Sequence, residues 1–180
     1  MNAVYRTTIA LAVSWLAAGL TGCNLRPALE WTDVKESIRT EFPGVRQLST
    51  RELAEWLADT SRPLPVLLDA RTADEFAVSH LRRAELATDV ASALPLLEDA
   101  GSETPVVVYC SVGYRSSQLA EELTARGYSN VFNLEGSLFQ WANEGRPVYR
   151  HDVPVRAIHP YDARWGRLLD KRFHSRGIVE

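Results

Sequence analysis

Cysteine is nearly missing from this chain: among 180 residues there are two, Cys23 and Cys110. That excludes a small scaffold stapled by several disulfides. His151 and His159 stand at no metal-ligand spacing from either cysteine, so no metal site is expected. A basic stripe interleaved with aromatics is also missing, and with a formal net charge of −3 the chain gives no case for nucleic acid. No internal repeat of roughly 20–50 residues and no low-complexity tract stands out. What remains is an apolar fraction of 46% and a pI of about 5.8, the composition of one modest globular domain with additions.

The most informative stretch runs from Val106 to Ser116. A short β-branched run ends in Cys110, a turn carrying Gly113 follows, and a helical pattern begins near Ser117 and continues through Leu119 and Leu123. Strand, tight loop and helix N-terminus in succession form an anion cradle, because loop N–H groups and the positive end of the helix dipole converge on one small space. A thiol at the mouth of such a space is expected to be thiolate-rich. Free cysteines titrate near pKa ~8.5, and those beside cations or helix N-termini at roughly 3.5–7.5. Arg115 supplies such a cation. A buried structural cysteine is the plain alternative, but it leaves the glycine, the arginine and the helix start unaccounted for.

Cys110-Ser111-Val112-Gly113-Tyr114-Arg115-Ser116 resembles the C-x-x-G-x-R-S active-site loop of single-domain rhodaneses, a family of sulfurtransferases. A second stretch resembles that family's D-x-R, E-[FY] and G-H-[IL]-x-G-A signature: Asp69, Arg71, Glu75, Phe76, His80, Leu81 and Ala84 match, while Ser79 and Arg83 replace the two glycines. Glu135 to Pro147 is similar to the family's closing L-x-G-G-x-x-x-W…G-x-P element, with Ser137 in place of the second glycine and Trp141 read as a core anchor. The resemblance spans residues 45–150. It implies a three-layer α/β domain, a mostly parallel sheet with helices on both faces. Alternating strand and helix patterns argue independently for the same class.

The resemblance also implies a chemistry. Cys110 would take sulfane sulfur from a small donor such as thiosulfate or a persulfide, and pass it to a nucleophilic acceptor, a thiol or a protein. The amides of Ser111, Val112, Gly113, Tyr114, Arg115 and Ser116 would stabilise the anionic persulfide, and no cofactor beyond that covalent intermediate is implied. The loop carries less positive charge than the Cys-Arg-Lys-Gly loops of some thiosulfate-using relatives, which makes thiosulfate a poor expected donor. Asp69 closes a strand, where ligand crevices of open α/β sheets lie, and there it could orient Arg115 by a bidentate pair. Alternatively Asp69, Arg71 and Glu75 make a salt-bridge network that supports the fold. His80 is expected to be structural, its ring bonded to nearby backbone.

Residues 1–22 read as an address: Arg6 precedes the compact apolar run Ile9–Ala18, too short for a membrane span and suited to a secretory signal. Leu20-Thr21-Gly22-Cys23 resembles the bacterial lipobox. That implies a diacylglycerol thioether on Cys23, a mature chain tethered to the cell envelope and facing the periplasm, and a Cys110 thiol with no partner in its own chain. Residues 23–44 are then the lipidated N-terminus, a linker and a short helix with apolar positions at 31, 34 and 38, ended by Pro43-Gly44. Residues 151–180 form an extension in which Trp165, Leu168 and Leu169 suggest a short docked helix. Its basic cluster (Arg164, Arg167, Lys171, Arg172) alternatively meets anionic headgroups or a partner.

Two rivals stand beside the sulfurtransferase reading. Cysteine phosphatases and arsenate reductases resemble C-x5-R, a loop one residue longer than the four residues between Cys110 and Arg115. A non-enzymatic module would display the fold to an envelope partner, with 151–180 as its contact surface.

Overall fold

The computed structural model describes residues 29–99 and 101–175. The leader expected over 1–22, the lipidation site Cys23 and residues 24–28 of the linker lie outside the described residues. Among the described residues no helix is long and apolar enough to cross a membrane.

Helix α1 (Trp31–Glu41) buries Val34 and Ile38, and Phe42 caps it inside the core. Strand β1 (Arg46–Ser49) runs directly into α2 (Thr50–Ala58), whose entry is fixed by a capping box: Ser49 accepts from the Glu52 amide and Glu52 reaches back to the Ser49 amide. Strand β2 (Val66–Asp69) leads to α3 (Ala73–Val78), which opens with a second box made by Thr72 and Glu75. Strand β3 (Glu85–Leu86) and α4 (Val90–Leu96) follow, and Pro95 sits in the last turn of α4. Then come β4 (Val106–Tyr109), α5 (Tyr114–Ala125), β5 (Val131–Glu135) and α6 (Ser137–Asn143).

The five strands form one parallel sheet in the order β1-β5-β4-β2-β3. β4 sits at its centre, and all four of its side chains are buried. Each such valine stabilises the fold by about 1.5–3 kcal/mol relative to exposure. The expected α/β class with a parallel sheet and flanking helices is therefore the observed one. Beyond the sheet, the β6–β7 hairpin (Val148–Arg150, Val153–Val155) returns to the segment that follows α3, where Tyr149 and His80 exchange backbone hydrogen bonds.

The three positions that stand where the resemblance has glycine behave differently. Ser79 is extended (φ −172°), a conformation open to any residue. Arg83 (φ +63°) and Ser137 (φ +50°) keep the left-handed turn with a side chain in place. His80 stacks on Phe76 at 4.1 Å, and its Nδ1 lies 2.9 Å from the Leu81 carbonyl.

At the C-terminal end of β2, Asp69 and Arg71 form a fully buried fork. Arg71 donates through Nε to Oδ1 (2.9 Å) and through Nη2 to Oδ2 (2.6 Å), and Nη2 also donates to the Ser79 carbonyl. Burial alone would lower the guanidinium's pKa, but the Asp69 carboxylate outweighs it and holds it above its ordinary value. The possibility that Asp69 orients Arg115 is thereby corrected. Arg71, two residues on, folds back over the strand end and takes both carboxylate oxygens. The pair ties the end of β2 to the Ser79 carbonyl beyond α3.

Asp69→Ala, which strands Arg71 uncompensated in the core, is expected to cost about 3–5 kcal/mol. Chemical denaturation should show a lower midpoint. Replacing both residues with apolar ones, Asp69→Leu with Arg71→Met, should recover most of the loss; no recovery would mean the pair is needed as an ion pair.

Candidate active site

Cys110 follows the last residue of β4, at the C-terminal edge of the sheet, and its side chain is almost completely buried. The loop turns back at Gly113 (φ +119°), a left-handed conformation that suits glycine. A Cβ there would lie 3.4 Å from both Asn133 Nδ2 and Ile38 Cδ1, so the turn is also closely packed. This geometry points the Gly113 amide at the sulfur, N to Sγ 3.2 Å. Ser116, in the first turn of α5, places Oγ 3.4 Å from Sγ and 2.6 Å from Asn133 Oδ1. A hydroxyl has one proton, so at rest it serves Asn133 first and the sulfur second.

The loop's backbone is held from behind by α6. The Cys110 amide donates to Ser137 Oγ (3.0 Å), whose own proton goes to the Leu134 carbonyl. The Leu138 and Phe139 amides donate to the carbonyls of Cys110 and Ser111. Ser137 thus gives the turn a hydrogen bond that glycine in its place would lack.

Burial pushes the Cys110 thiol up, but the Arg115 charge, the Ser116 hydroxyl and amide, and the Gly113 amide together bring it below the ordinary thiol value. Arg115 itself is tied to Glu75 by two parallel bonds, Nη1 to Oε2 at 2.8 Å and Nη2 to Oε1 at 2.9 Å. Glu75 also accepts from Ser111 Oγ (2.8 Å) and from the Thr72 amide and hydroxyl. Burial would raise the Glu75 carboxyl, yet the bonds from Arg115 and Thr72 hold it at about 2.

The residues singled out in the sequence separate by what they touch. Gly113 and Ser116 contact Sγ directly. Ser111 and Arg115 are joined to Glu75, and Val112 is buried. Asp69 and Arg71 belong to the neighbouring fork. Tyr114 turns outward and donates its hydroxyl to Glu41 of α1, while its ring meets Phe42 edge-on at 5.3 Å.

Four contributors were missed in the sequence: Asn133, Ser137, Glu41 and Tyr161. Of these, only Ser137 had a local signal, as a departure from glycine. Tyr161 belongs to the C-terminal extension, and its ring centroid lies 4.7 Å from Arg115 Cζ. That extension is anchored by buried Ile158, Leu168 and Leu169, but it forms 3-10 turns (Trp165–Leu168, Lys171–Phe173) instead of the suggested helix. Asn143 takes both the Leu168 carbonyl and the Asp170 amide, which holds the chain extended at Leu169 between the turns. Among the described residues no group of three or more His, Cys, Asp or Glu is placed to hold a metal ion.

Residues 49–144 match the family described as Rhodanese-like domain. A sulfurtransferase of Allochromatium vinosum is 34% identical over 108 residues, covering 58% of this chain and 94% of that protein. Thiosulfate sulfurtransferase GlpE of Coxiella burnetii is 33% identical over 76 residues, 42% of this chain and 70% of that protein. Among solved structures, a rhodanese-like domain protein from Staphylococcus aureus superposes with a TM-score of 0.51 at 25% identity, over 60% of this chain and all of that one.

Glu75 sets a pH dependence. Its carboxyl titrates at about 2 in the fold against an ordinary 4.5, so its contribution to stability is complete above pH 4.5 and is lost as pH falls toward 2. Glu75→Gln should be less stable than the parent at neutral pH, and the gap in Tm should narrow across that acid window. A gap that stays constant would contradict the assignment.

Proposed function

The chain belongs to the rhodanese-like domain family, and we propose that it is a sulfurtransferase that carries sulfane sulfur as a persulfide on Cys110. The observation that supports this most is the cradle around one sulfur atom: the Gly113 amide at 3.2 Å, the Ser116 hydroxyl within reach, and Arg115 as the nearby cation. A buried thiol kept only for packing has no use for donors aimed at its sulfur. The sulfurtransferases among its relatives support the same class.

In this reading the Cys110 thiolate attacks the outer sulfur of a donor. The donor's S–S bond breaks and its electron pair leaves on a thiolate, or on sulfite if the donor is thiosulfate. The new sulfur carries the negative charge. The Gly113 amide is already directed into this space, and the Ser116 proton can swing from Asn133 to the added anion. An acceptor thiolate then attacks the outer sulfur and releases Cys110. No net oxidation occurs and no cofactor is needed. The kinetics should be ping-pong.

The domain of residues 45–150 is the catalytic unit of the proposal. It would be carried behind a cleaved leader (1–22), a lipidated Cys23 and a linker with α1, with 151–180 as an extension docked beside the site. A lipid on Cys23 would place the enzyme at the bacterial envelope, facing the periplasm, and would leave Cys110 without an intramolecular partner.

The intact mass of the purified chain before and after exposure to thiosulfate or a low-molecular-weight persulfide tests this directly. One added sulfur is expected, removed by cyanide with release of thiocyanate and absent in Cys110→Ser. A chain that gains no sulfur from any donor, while Cys110 still reacts with alkylating reagents, would sink the proposal.

A further inference from the structure

The C-terminal extension contributes a residue to the mouth of the cradle. Tyr161 lies beyond the family match at 49–144, yet its ring faces the Arg115 guanidinium at 4.7 Å. The backbone that carries it is held from several directions. Tyr161 adopts φ +67°, a left-handed conformation that a bulky residue rarely takes. Its amide donates to His159 Nδ1 (3.0 Å). On one side Ile158 is fully buried and exchanges backbone bonds with Phe173 and Ser175. On the other, Gly166 packs so tightly on Pro160 that an added Cβ would lie 2.9 Å from the proline ring. An unfavourable backbone state persists only where its surroundings over-determine it, and such states gather at functional sites.

The electrostatic setting gives that placement a consequence. Arg115 is the cation that acts on Cys110, and three of its five N–H donors are engaged. Nη1 and Nη2 bind the two oxygens of Glu75, Nη2 also donates to Ser111 Oγ, and one face of the guanidinium lies against the Tyr161 ring. Tyr114, on the far side of the loop, carries a second carboxylate, Glu41, on its hydroxyl. Beside the cradle, then, Arg115 has its two-pronged Nη1/Nη2 edge on Glu75 and Ser111 and one face on the Tyr161 ring. A dianionic donor that takes Arg115 by its two-pronged edge has to displace Glu75, and one that settles over its face has to displace Tyr161, whereas the single charge of an organic persulfide with an uncharged body can rest on the Gly113 amide and the Ser116 hydroxyl. Tyr161 keeps 44% of its surface exposed, leaving an aromatic edge for an apolar donor body.

We infer that Tyr161 is a specificity-determining residue that locks Arg115 onto Glu75, so that the site takes sulfur from organic persulfides with an uncharged body in preference to the thiosulfate dianion. The inference rests on the sulfurtransferase reading. The step is the same displacement: Cys110 bonds to the outer sulfur of R–S–S⁻, the S–S bond breaks, and R–S⁻ leaves with the electron pair.

The test compares persulfide formation on the full chain from thiosulfate and from 2-hydroxyethyl persulfide, with kcat and KM measured for each. Three proteins are needed: the parent, Tyr161→Phe, which keeps the ring face, and Tyr161→Asn, which removes it with a residue that tolerates the left-handed backbone. Tyr161→Asn should lower KM for thiosulfate relative to the parent by roughly 2–5-fold, the equivalent of an exposed cation–π contact, with little change for the hydroxyethyl donor. Tyr161→Phe should retain the parent's donor ratio. The inference is overturned if both donors change in proportion in Tyr161→Asn, or if Tyr161→Phe behaves like Tyr161→Asn. Absence of any persulfide in the parent is a separate result, and it would remove the sulfurtransferase reading itself.

Discussion

The arrangement around Cys110 depends on one carboxylate. Glu75 accepts five hydrogen bonds: two from Thr72 at the start of α3, one from Ser111 in the cysteine loop, and two from Arg115 at the start of α5. These partners come from three places in the chain, and Glu75 is what keeps them together at the edge of the sheet. The same residue serves as the N3 member of a helix capping box, so the cap that starts α3 also holds the carboxylate where the loop meets it.

Around this node two further devices divide the work. The buried Asp69–Arg71 fork fixes the end of β2 and the approach to α3, without touching the sulfur. The first turn of α6 holds the carbonyls of Cys110 and Ser111, and Ser137 holds the Cys110 amide. With those backbone groups satisfied from behind, the amide at Gly113 is left to face the thiol. A negative charge on sulfur then meets the Arg115 charge and dipoles already in place, which is how a buried thiol can titrate low in spite of burial.

Much of this was legible in the residues. The strand–turn–helix around Cys110 followed from β-branched residues, a glycine and an amphipathic repeat, all local signals that tertiary packing reinforced. The α/β class followed from alternating periodicities. What could not be read was pairing across the fold. Asp69 and Glu75 both stand far from Arg115 in the sequence, Glu75 by 40 residues, and only the direction of each side chain decides which one Arg115 receives. Arg71, two residues from Asp69, won that carboxylate by proximity; Glu75 was left to Arg115. Asn133, Glu41 and Tyr161 reach the loop from distant segments, and no spacing announces them. Arg83 and Ser137 show the converse, since the left-handed turns survived replacement of the glycines that usually mark them.

The central claim is that the loop stabilises negative charge on the sulfur of Cys110 against the cost of burying it. Ultraviolet titration of the thiolate, in the folded protein and in the chain unfolded by denaturant, measures this most directly. The structure predicts a folded midpoint below the unfolded one, and an upward movement of that midpoint in Arg115→Gln. A folded midpoint at or above the unfolded value would show that burial wins, and that Cys110 is a packing residue in a domain whose function lies elsewhere.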